Sequence, residues 1–454
     1  MREDHAAEHP DRGYAFEHKT ASVLFGLGFG EDDLEKPFRN LSSGQRTRAE
    51  LAKLLLREPD LLLWDEPGNH LDIAAQEWLE EYIAHYERAA LIVSHDRTFL
   101  DRAVSRIFEL RRGKLTEYVG GYSAYAAQRA LWERQAWDET KRKRKEEKRL
   151  RRAVAERMRV ARKVVRRPPT YDPYHKPFYK AKAAKVQKRA KGIERRAQKI
   201  QTTIEKPFVE KKVRIAFPEV RRSSDTVLAV RNLSKSFGPH WLFHDLNFDL
   251  TRGERMAIIG PNGSGKTTLL RILLGKVRAD TGHVHLGHHV RIGYYTQEHE
   301  DLDLDRTILQ EVLSIGNADE TWARTVLGAL MLRKEKVYDR IRNLSLGERG
   351  RVVLTKLLVS GANLLVLDEP MNHLDIDARK AVEQALEEYP GTILFVSHDR
   401  PFIERIADEI VEHEDAQALA QPEVRSGKRP RNSRKGSSGQ GDCFAACSTS
   451  SKPS

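Results

Sequence analysis

The run Gly260-Pro261-Asn262-Gly263-Ser264-Gly265-Lys266-Thr267 fits the pattern G-x-x-x-x-G-K-[ST], with Thr268 directly after it. Such a run is built to hold a chain of phosphates. Its glycines let backbone N–H groups come close to phosphate oxygens, and a helix beginning there adds positive potential. The Lys266 ammonium would neutralise the β and γ phosphates, and the Thr267 hydroxyl would hold a magnesium ion. A hundred residues on, Asp368 and Glu369 are adjacent. Asp368 suits the magnesium hydration shell, and Glu369 suits orienting an attacking water. His398 stands before Asp399 and after an apolar run, where it would contact a γ phosphate.

The elements that must position these groups are also readable. Arg255 to Ile259 reads as a short strand before the glycine-rich loop, and Thr267 to Leu274 as a helix after it. In Asn363-Leu364-Leu365-Val366-Leu367 the last four residues are continuously apolar, as in a parallel strand buried on both faces. Asp368 and Glu369 sit at its C-terminal end, where α/β sheets place ligands. Ile393 to Val396 is a second such strand, ending at His398.

Half of this arrangement occurs twice. Leu41-Ser42-Ser43-Gly44-Gln45 returns as Leu344-Ser345-Leu346-Gly347-Glu348, and Asp65-Glu66-Pro67 as Asp368-Glu369-Pro370. Asn69-His70-Leu71-Asp72 returns as Asn372-His373-Leu374-Asp375, and Ser94-His95-Asp96-Arg97 as Ser397-His398-Asp399-Arg400. Every pair is 303 residues apart, so the chain carries a tandem repeat. The same subtraction puts the first counterparts of Lys266 and Gln297 at −37 and −6, before Met1. No G-x-x-x-x-G-K-[ST] occurs before residue 260. The expectation is a first copy lacking about 80 residues of its front end, keeping Asp65, Glu66 and His95 but unable to cradle a triphosphate. Strands missing from its sheet would leave apolar surface bare.

The order of phosphate loop, Gln297, L-S-x-G-x, D-E-P and S-H-D resembles the ATP-binding-cassette ATPases. Two copies in one chain, N-H-L-D after each D-E-P, no membrane segment, and Gly120-Gly121-Tyr122-Ser123-Ala124-Tyr125 narrow the resemblance to the ABC-F family. It covers roughly residues 14 to 412. It implies α/β P-loop NTPase cassettes in tandem, joined by a basic α-helical hairpin: the rear of a first cassette over 1–122, a linker over 123–222, a complete second cassette over 223–415 and a disordered tail over 416–454. It implies head-to-tail pairing, in which the L-S-x-G-x loop of one copy meets the γ phosphate held by the other. Ser42, Gly44 and Gln45 would then complete the site of Gly260 to Thr268, Asp368, Glu369 and His398. The second signature, Ser345, Gly347 and Glu348, would face a copy with no phosphate loop. Phe237 falls where the family stacks an aromatic on adenine, and Gln297 where it senses metal and water. ATP and Mg2+ are the implied ligands, with at most one competent site in a chain; pairing of two chains is a second arrangement. Ser43 and Leu346 stand where the family usually has glycine, Glu348 where it has glutamine, and Gly68 and Met371 where it has threonine.

Charge points to a second partner. The chain carries a net +13, but residues 141–200 alone hold 25 Lys or Arg against 5 Asp or Glu, leaving the remainder at −7. Residues 123–167 read as one long helix, Pro168-Pro169 as its stop, 171–179 as a turn and 180–201 as a second helix. This is either a solvated basic face or a surface for RNA phosphates through counterion release. Tyr171, Tyr174, Phe178 and Tyr179 at the hinge would stack on bases or pack together. In the resembled family this hairpin reaches toward transfer RNA and ribosomal RNA, implying a translation factor or a ribosome-protection protein conferring antibiotic resistance. The other readings are an ABC-transporter ATPase subunit and a nucleic-acid-binding ATPase outside translation.

Several features carry no chemistry. His283, His285, His288 and His289 alternate along a strand and turn and do not read as a metal site. Cys443 and Cys447, the two cysteines, lack zinc-ligand partners and fit a reducing cytoplasm. No apolar run reaches the roughly 18 residues of a membrane helix, and no signal peptide follows Met1.

Overall fold

The computed structural model describes residues 10–68, 71–166, 176–203, 215, 217, 221–238, 240–296, 302–315, 319–412 and 425–428. The chain divides into two units, residues 1–103 together with 212–454, and residues 104–211. The first unit opens with α1 (Pro10–Gly26), α2 (Glu31–Leu34), α3 (Ser43–Leu56), β1 (Leu61–Asp65), α4 (Ile73–Ala84), β2 (Ala89–Val93) and α5 (Arg97–Arg102). The second unit holds β3 (Arg106–Arg111), β4 (Lys114–Val119), α6 (Tyr122–Arg166) and α7 (Lys176–Thr202). The first unit then resumes with β5 (Thr226–Phe237), β6 (His240–Thr251), β7 (Arg255–Ile259), α8 (Lys266–Leu273), β8 (Thr281–Leu286), β9 (Ile292–Tyr295), α9 (Ile308–Leu313) and α10 (Glu320–Ala329). It ends with α11 (Leu346–Val359), β10 (Leu364–Asp368), α12 (Ile376–Glu388), β11 (Thr392–Val396), α13 (Arg400–Ile406), β12 (Glu409–Glu412) and β13 (Arg425–Lys428).

The second copy is built on a sheet ordered β13-β12-β7-β11-β10-β9, parallel except for β13. Its strands β7, β10 and β11 are buried at every position, because both faces are covered. Met256, Ile258, Leu364, Val366, Leu394 and Val396 point to a core shared with α8 and an antiparallel sheet ordered β6-β5-β8. Ala257, Leu365, Leu367, Ile393 and Phe395 point to the opposite core, beneath α10, α11 and α12. Continuous apolar strands with covering layers on both sides are what parallel pairing demands. Residues 425–428, expected to lack structure, pair antiparallel with β12, whose outer backbone groups would otherwise be an open edge.

The first copy repeats half of this plan in the same register. β1 pairs β2 from Leu61↔Ala89 to Asp65↔Val93, and β10 pairs β11 from Leu364↔Thr392 to Asp368↔Val396. Leu62 joins a core with Leu51, Leu55, Leu79 and Ile83 of α3 and α4. The other face is bare: Leu61, Leu63, Leu91 and Val93 are 53–64% exposed, whereas their counterparts Leu364, Val366, Leu394 and Val396 are at most 2% exposed. The same side chains thus have different energetic weight in the two copies. Leu394→Ala should cost about 2–5 kcal/mol through lost burial and a residual cavity, and Leu91→Ala within about 0.5 kcal/mol. Urea unfolding of the two variants side by side checks this; equal losses would contradict it.

In the second unit, α6 and α7 lie antiparallel, with Lys143 reaching Thr203, Glu146 reaching Arg196 and Arg151 reaching Gln201. Ala183, Ala190 and Ala197, seven residues apart on α7, are buried, as are Thr140 and Ala161 on α6. Small side chains at that period let two helices approach closely and leave the Lys and Arg side chains outward. Helix α7 begins at Lys176, earlier than the expected 180, because Pro177 falls in the first turn, where no N–H is required. Phe178 and Tyr179 meet edge to face at 5.6 Å; Tyr171 and Tyr174 lie outside the described residues. No helix among the described residues is long and apolar enough to cross a membrane.

Candidate functional site

The glycine-rich loop runs from β7 into α8. Gly265 caps α8 at φ 96° and Gly263 stands at φ 90°, a left-handed region where side chains are strained. A Cβ on Gly265 would also sit 3.0 Å from Leu242. Lys266 is buried, and its Nζ donates to the carbonyls of Gly260 at 2.8 Å and Pro261 at 2.6 Å. The Ser264 hydroxyl is buried without a hydrogen-bond partner.

Asp368 ends β10, and burial raises its carboxyl above the usual range while the Thr267 hydroxyl pulls it back. These two oxygen donors are of the hard kind that magnesium takes, with water and phosphate oxygens in its other positions. Glu369 follows in left-handed backbone at φ 50°, its N–H donating to Val396 O at 3.1 Å. Burial pushes its carboxyl up to about 7, opposed by Lys266. Its Oε1 lies 3.5 Å from His398 Nε2. Burial, with Lys266 adding to it, lowers His398 to about 4, so the ring is neutral at neutral pH. Glu369 Oε1 and His398 Nδ1 both lack hydrogen-bond partners. Buried carboxylate and imidazole atoms without a hydrogen bond are costly to the fold alone and suit a ligand that completes them.

The first copy closes the opposite side. One cleft of about 670 Å3 is lined by Asn262, Lys266, Thr267, Thr268, Asp368, Glu369 and His398 from the second copy. It is lined also by Ser42, Gly44, Gln45 and Arg48 from the first. Ser42 and Gln45 form a reciprocal cap on α3, Ser42 Oγ accepting from Gln45 N and Gln45 Oε1 from Ser42 N. Asp72 Oδ2 accepts from Asn262 N at 3.2 Å across the copies. Phe237 stands at the rim, 58% exposed, with Lys235 Nζ 5.3 Å above its ring.

Other expected residues fall elsewhere. Glu66 and His95 repeat the Glu369–His398 pair, at φ 49° and 3.7 Å, and burial raises Glu66 too. Glu66 lines the same cleft, whereas Asp65 and His95 do not. Ser345 and Glu348 cap α11 reciprocally, Glu348 pairs with Lys336, and with Gly347 they lie outside the cleft. Gln297, expected at the metal, lies outside the described residues. His283 and His285 sit on β8, paired with Arg231 and Ala229 of β5.

A set of contacts went unread in the sequence. Arg400, two residues after His398, reaches across to Glu77 at 2.9 Å and to Glu80; Arg97, two residues after His95, reaches back to Glu383 at 2.8 Å. Glu80 and Glu383 are both buried and each also takes an arginine of its own copy, Arg102 and Arg405. These pairs stand 303 apart, so the repeat offset was their signal. Removing one partner of such a buried pair typically costs about 3–5 kcal/mol. They tie the two copies together through an arginine two residues after each histidine.

A phosphate loop at the end of a parallel strand, faced by a second copy's helix cap, defines a nucleotide-binding protein of the ATP-binding-cassette class. A family model described as ABC transporter matches residues 3–69 and 243–372. The chain is 40% identical over 404 residues to Putative ATP-binding protein YdiF of Bacillus subtilis (strain 168), covering 88% of this chain and 59% of that protein. It is 36% identical over 408 residues to ABC transporter F family member 5 of Arabidopsis thaliana, covering 87% and 55%. To Energy-dependent translational throttle protein EttA of Escherichia coli (strain K12) it is 35% identical over 393 residues, covering 84% and 65%. A solved structure of RNase-L Inhibitor shares the fold, with TM-score 0.56 at 22% identity, covering 87% of this chain and 65% of that one. The chain belongs to the ABC-F family of ATP-binding-cassette proteins, and spans 55–65% of the length of these curated relatives.

Proposed function

We propose that the chain binds one ATP with magnesium in this cleft, hydrolyses it, and passes the closure of the two copies to the ribosome through α6 and α7. The supporting observation is the cleft itself, with the phosphate loop, Asp368, Glu369 and His398 on one side and Ser42, Gly44 and Gln45 on the other. Magnesium, when bound, supplies charge neutralisation at the β and γ oxygens. Thr267 and Asp368 hold it, with Gln297 assigned to the same place by the family pattern. The loop from Gly260 to Thr268 orients the triphosphate, and Lys266 gives its ammonium to it in exchange for the Gly260 and Pro261 carbonyls. Glu369 takes a hydrogen bond from the attacking water, and neutral His398 contacts the γ phosphate. Phe237 stacks on the base. Of the other repeated residues, Glu66 lines the cleft, whereas Asp65, His95, Ser345, Gly347 and Glu348 do not.

The partner is assigned from charge and kinship. The net +20 over residues 141–200 suits transfer or ribosomal RNA, and one relative is named a translational throttle. A cytoplasmic site of action follows from a ribosomal partner. Co-sedimentation of Glu369→Gln protein with ribosomes and ATP tests this. Pelleting should weaken steeply, by about a thousandfold in affinity between roughly 50 and 200 mM salt, and should be lost when 141–200 is deleted. Binding to membranes or free DNA in place of ribosomes would contradict it.

A further inference from the structure

We propose that Lys235, tethered by Asp280, is a positioning residue for the nucleobase, holding one face of the Phe237 ring so that the other face is presented to the base. The inference rests on the reading of Phe237 as the stacking platform. Phe237 ends β5 at the rim of the cleft, and Gly238 turns the chain directly after it at φ 62°. The ring is exposed and has little packing of its own. Left so, it would sample several rotamers, and stacking a base on it would cost the entropy of stopping it. Lys235 supplies the missing contact. Its Nζ lies over the Phe237 ring, 5.3 Å from the centroid. An ammonium over an aromatic face is attracted by the ring quadrupole.

The lysine is itself fixed. Its side chain is only 14% exposed, and Nζ donates to one Asp280 carboxylate oxygen at 2.7 Å. The other oxygen of Asp280 accepts from Ser236 N at 2.7 Å and from Ser236 Oγ at 2.9 Å. Asp280 N donates to Ser234 O at 3.0 Å. One aspartate thus fastens Ser234, Lys235 and Ser236, the three residues of β5 that lead into Phe237. Lys235, with the two Ser236 donors, holds the Asp280 carboxyl down to about 2, so the tether stays charged through the neutral range. An exposed ion pair alone contributes little to a fold; this one aims a charge at the rim aromatic. On the neighbouring strand β6, Leu242 lines the same cleft and stands 3.0 Å from where a Cβ on Gly265 of the phosphate loop would be. The tethered strand and the phosphate loop therefore border one site, and the platform for the base is set before the nucleotide arrives.

Lys235→Met keeps the aliphatic stem and removes the charge. Calorimetric titration of the whole chain with magnesium ATP should show Kd raised about three- to tenfold by this change. The Kd for magnesium tripolyphosphate, which carries the phosphates without a base, should stay as it is. Lys235→Arg should restore native ATP affinity, and Asp280→Asn should weaken it in the same direction as Lys235→Met. Phe237→Ala should raise the ATP Kd at least as far, and adding Lys235→Met to it should do nothing more. Native ATP affinity in the Lys235→Met chain, with Phe237→Ala weakened, would overturn the proposal and leave the stacking reading standing. An equal loss of tripolyphosphate binding, or a full Lys235→Met effect without the Phe237 ring, would overturn it in the same way. If Phe237→Ala itself leaves ATP affinity unchanged, the stacking reading fails and the proposal fails with it.

Discussion

Glu369→Gln is expected to lower ATP turnover by about a hundred- to ten-thousand-fold, the usual contribution of a positioned base, while nucleotide affinity stays within about twofold. Glutamine keeps the shape of the side chain, and the left-handed turn at φ 50° and the N–H bond to Val396 O are backbone features it leaves alone. What disappears is the carboxylate that burial makes more basic than an ordinary glutamate. The molecule contains its own control. Glu66 has the same backbone, a histidine at 3.7 Å and a raised carboxyl, yet the cations that act on it are His95 and Arg379, whereas Lys266 of the phosphate loop acts on Glu369. Glu66→Gln should therefore lower turnover far less than Glu369→Gln, although Glu66 lines the cleft. Steady-state phosphate release from both variants decides the matter, and a comparable fall in the two would show that the copies are catalytically equivalent.

Lys266→Ala should weaken nucleotide binding by at least about a hundredfold. Two charge-assisted hydrogen bonds of about 1.5–3 kcal/mol each are at stake. The ammonium is already desolvated and held by two loop carbonyls, so its desolvation precedes ligand binding. A ligand that binds only the folded chain raises Tm in proportion to the logarithm of its concentration. The native chain should show that rise with ATP and the Lys266→Ala chain should not. A preserved ATP-dependent rise would place the nucleotide somewhere other than this loop.

Much of the second copy is legible in its residues because the requirements there are local. A strand, a glycine-rich turn and a helix start place Lys266 and Thr267. Four consecutive apolar residues oblige β10 to be covered on both faces, which leaves Asp368 and Glu369 at its exit. The first copy reads less well for the same reason. Leu61, Leu63, Leu91 and Val93 match their buried counterparts in type, and only the absence of covering layers shows them exposed. The contacts between copies depend on tertiary placement: Asp72 on Asn262, Arg400 on Glu80 and Arg97 on Glu383 join residues 190 to 320 positions apart. The paired offset of those arginines and glutamates was visible, but charge type alone does not say which partner a buried arginine takes. The start of α7 at Lys176 is not legible in the sequence, because Pro177 reads as a breaker anywhere except in a first turn.

The claim on which the rest depends is that a nucleotide binds between unequal copies, with Ser42 to Gln45 closing over the loop at Gly260. Calorimetric titration of ATP with magnesium into Glu369→Gln protein, with and without Gly44→Trp, tests it directly. A Cβ at Gly44 meets nothing within 4 Å and Gly44 lines the cleft, so the attachment point is open and a bulky side chain there is expected to obstruct the cleft. The account predicts one equivalent bound per chain, and none once Gly44 is tryptophan. Two equivalents, or unchanged affinity in the Gly44→Trp chain, would contradict it.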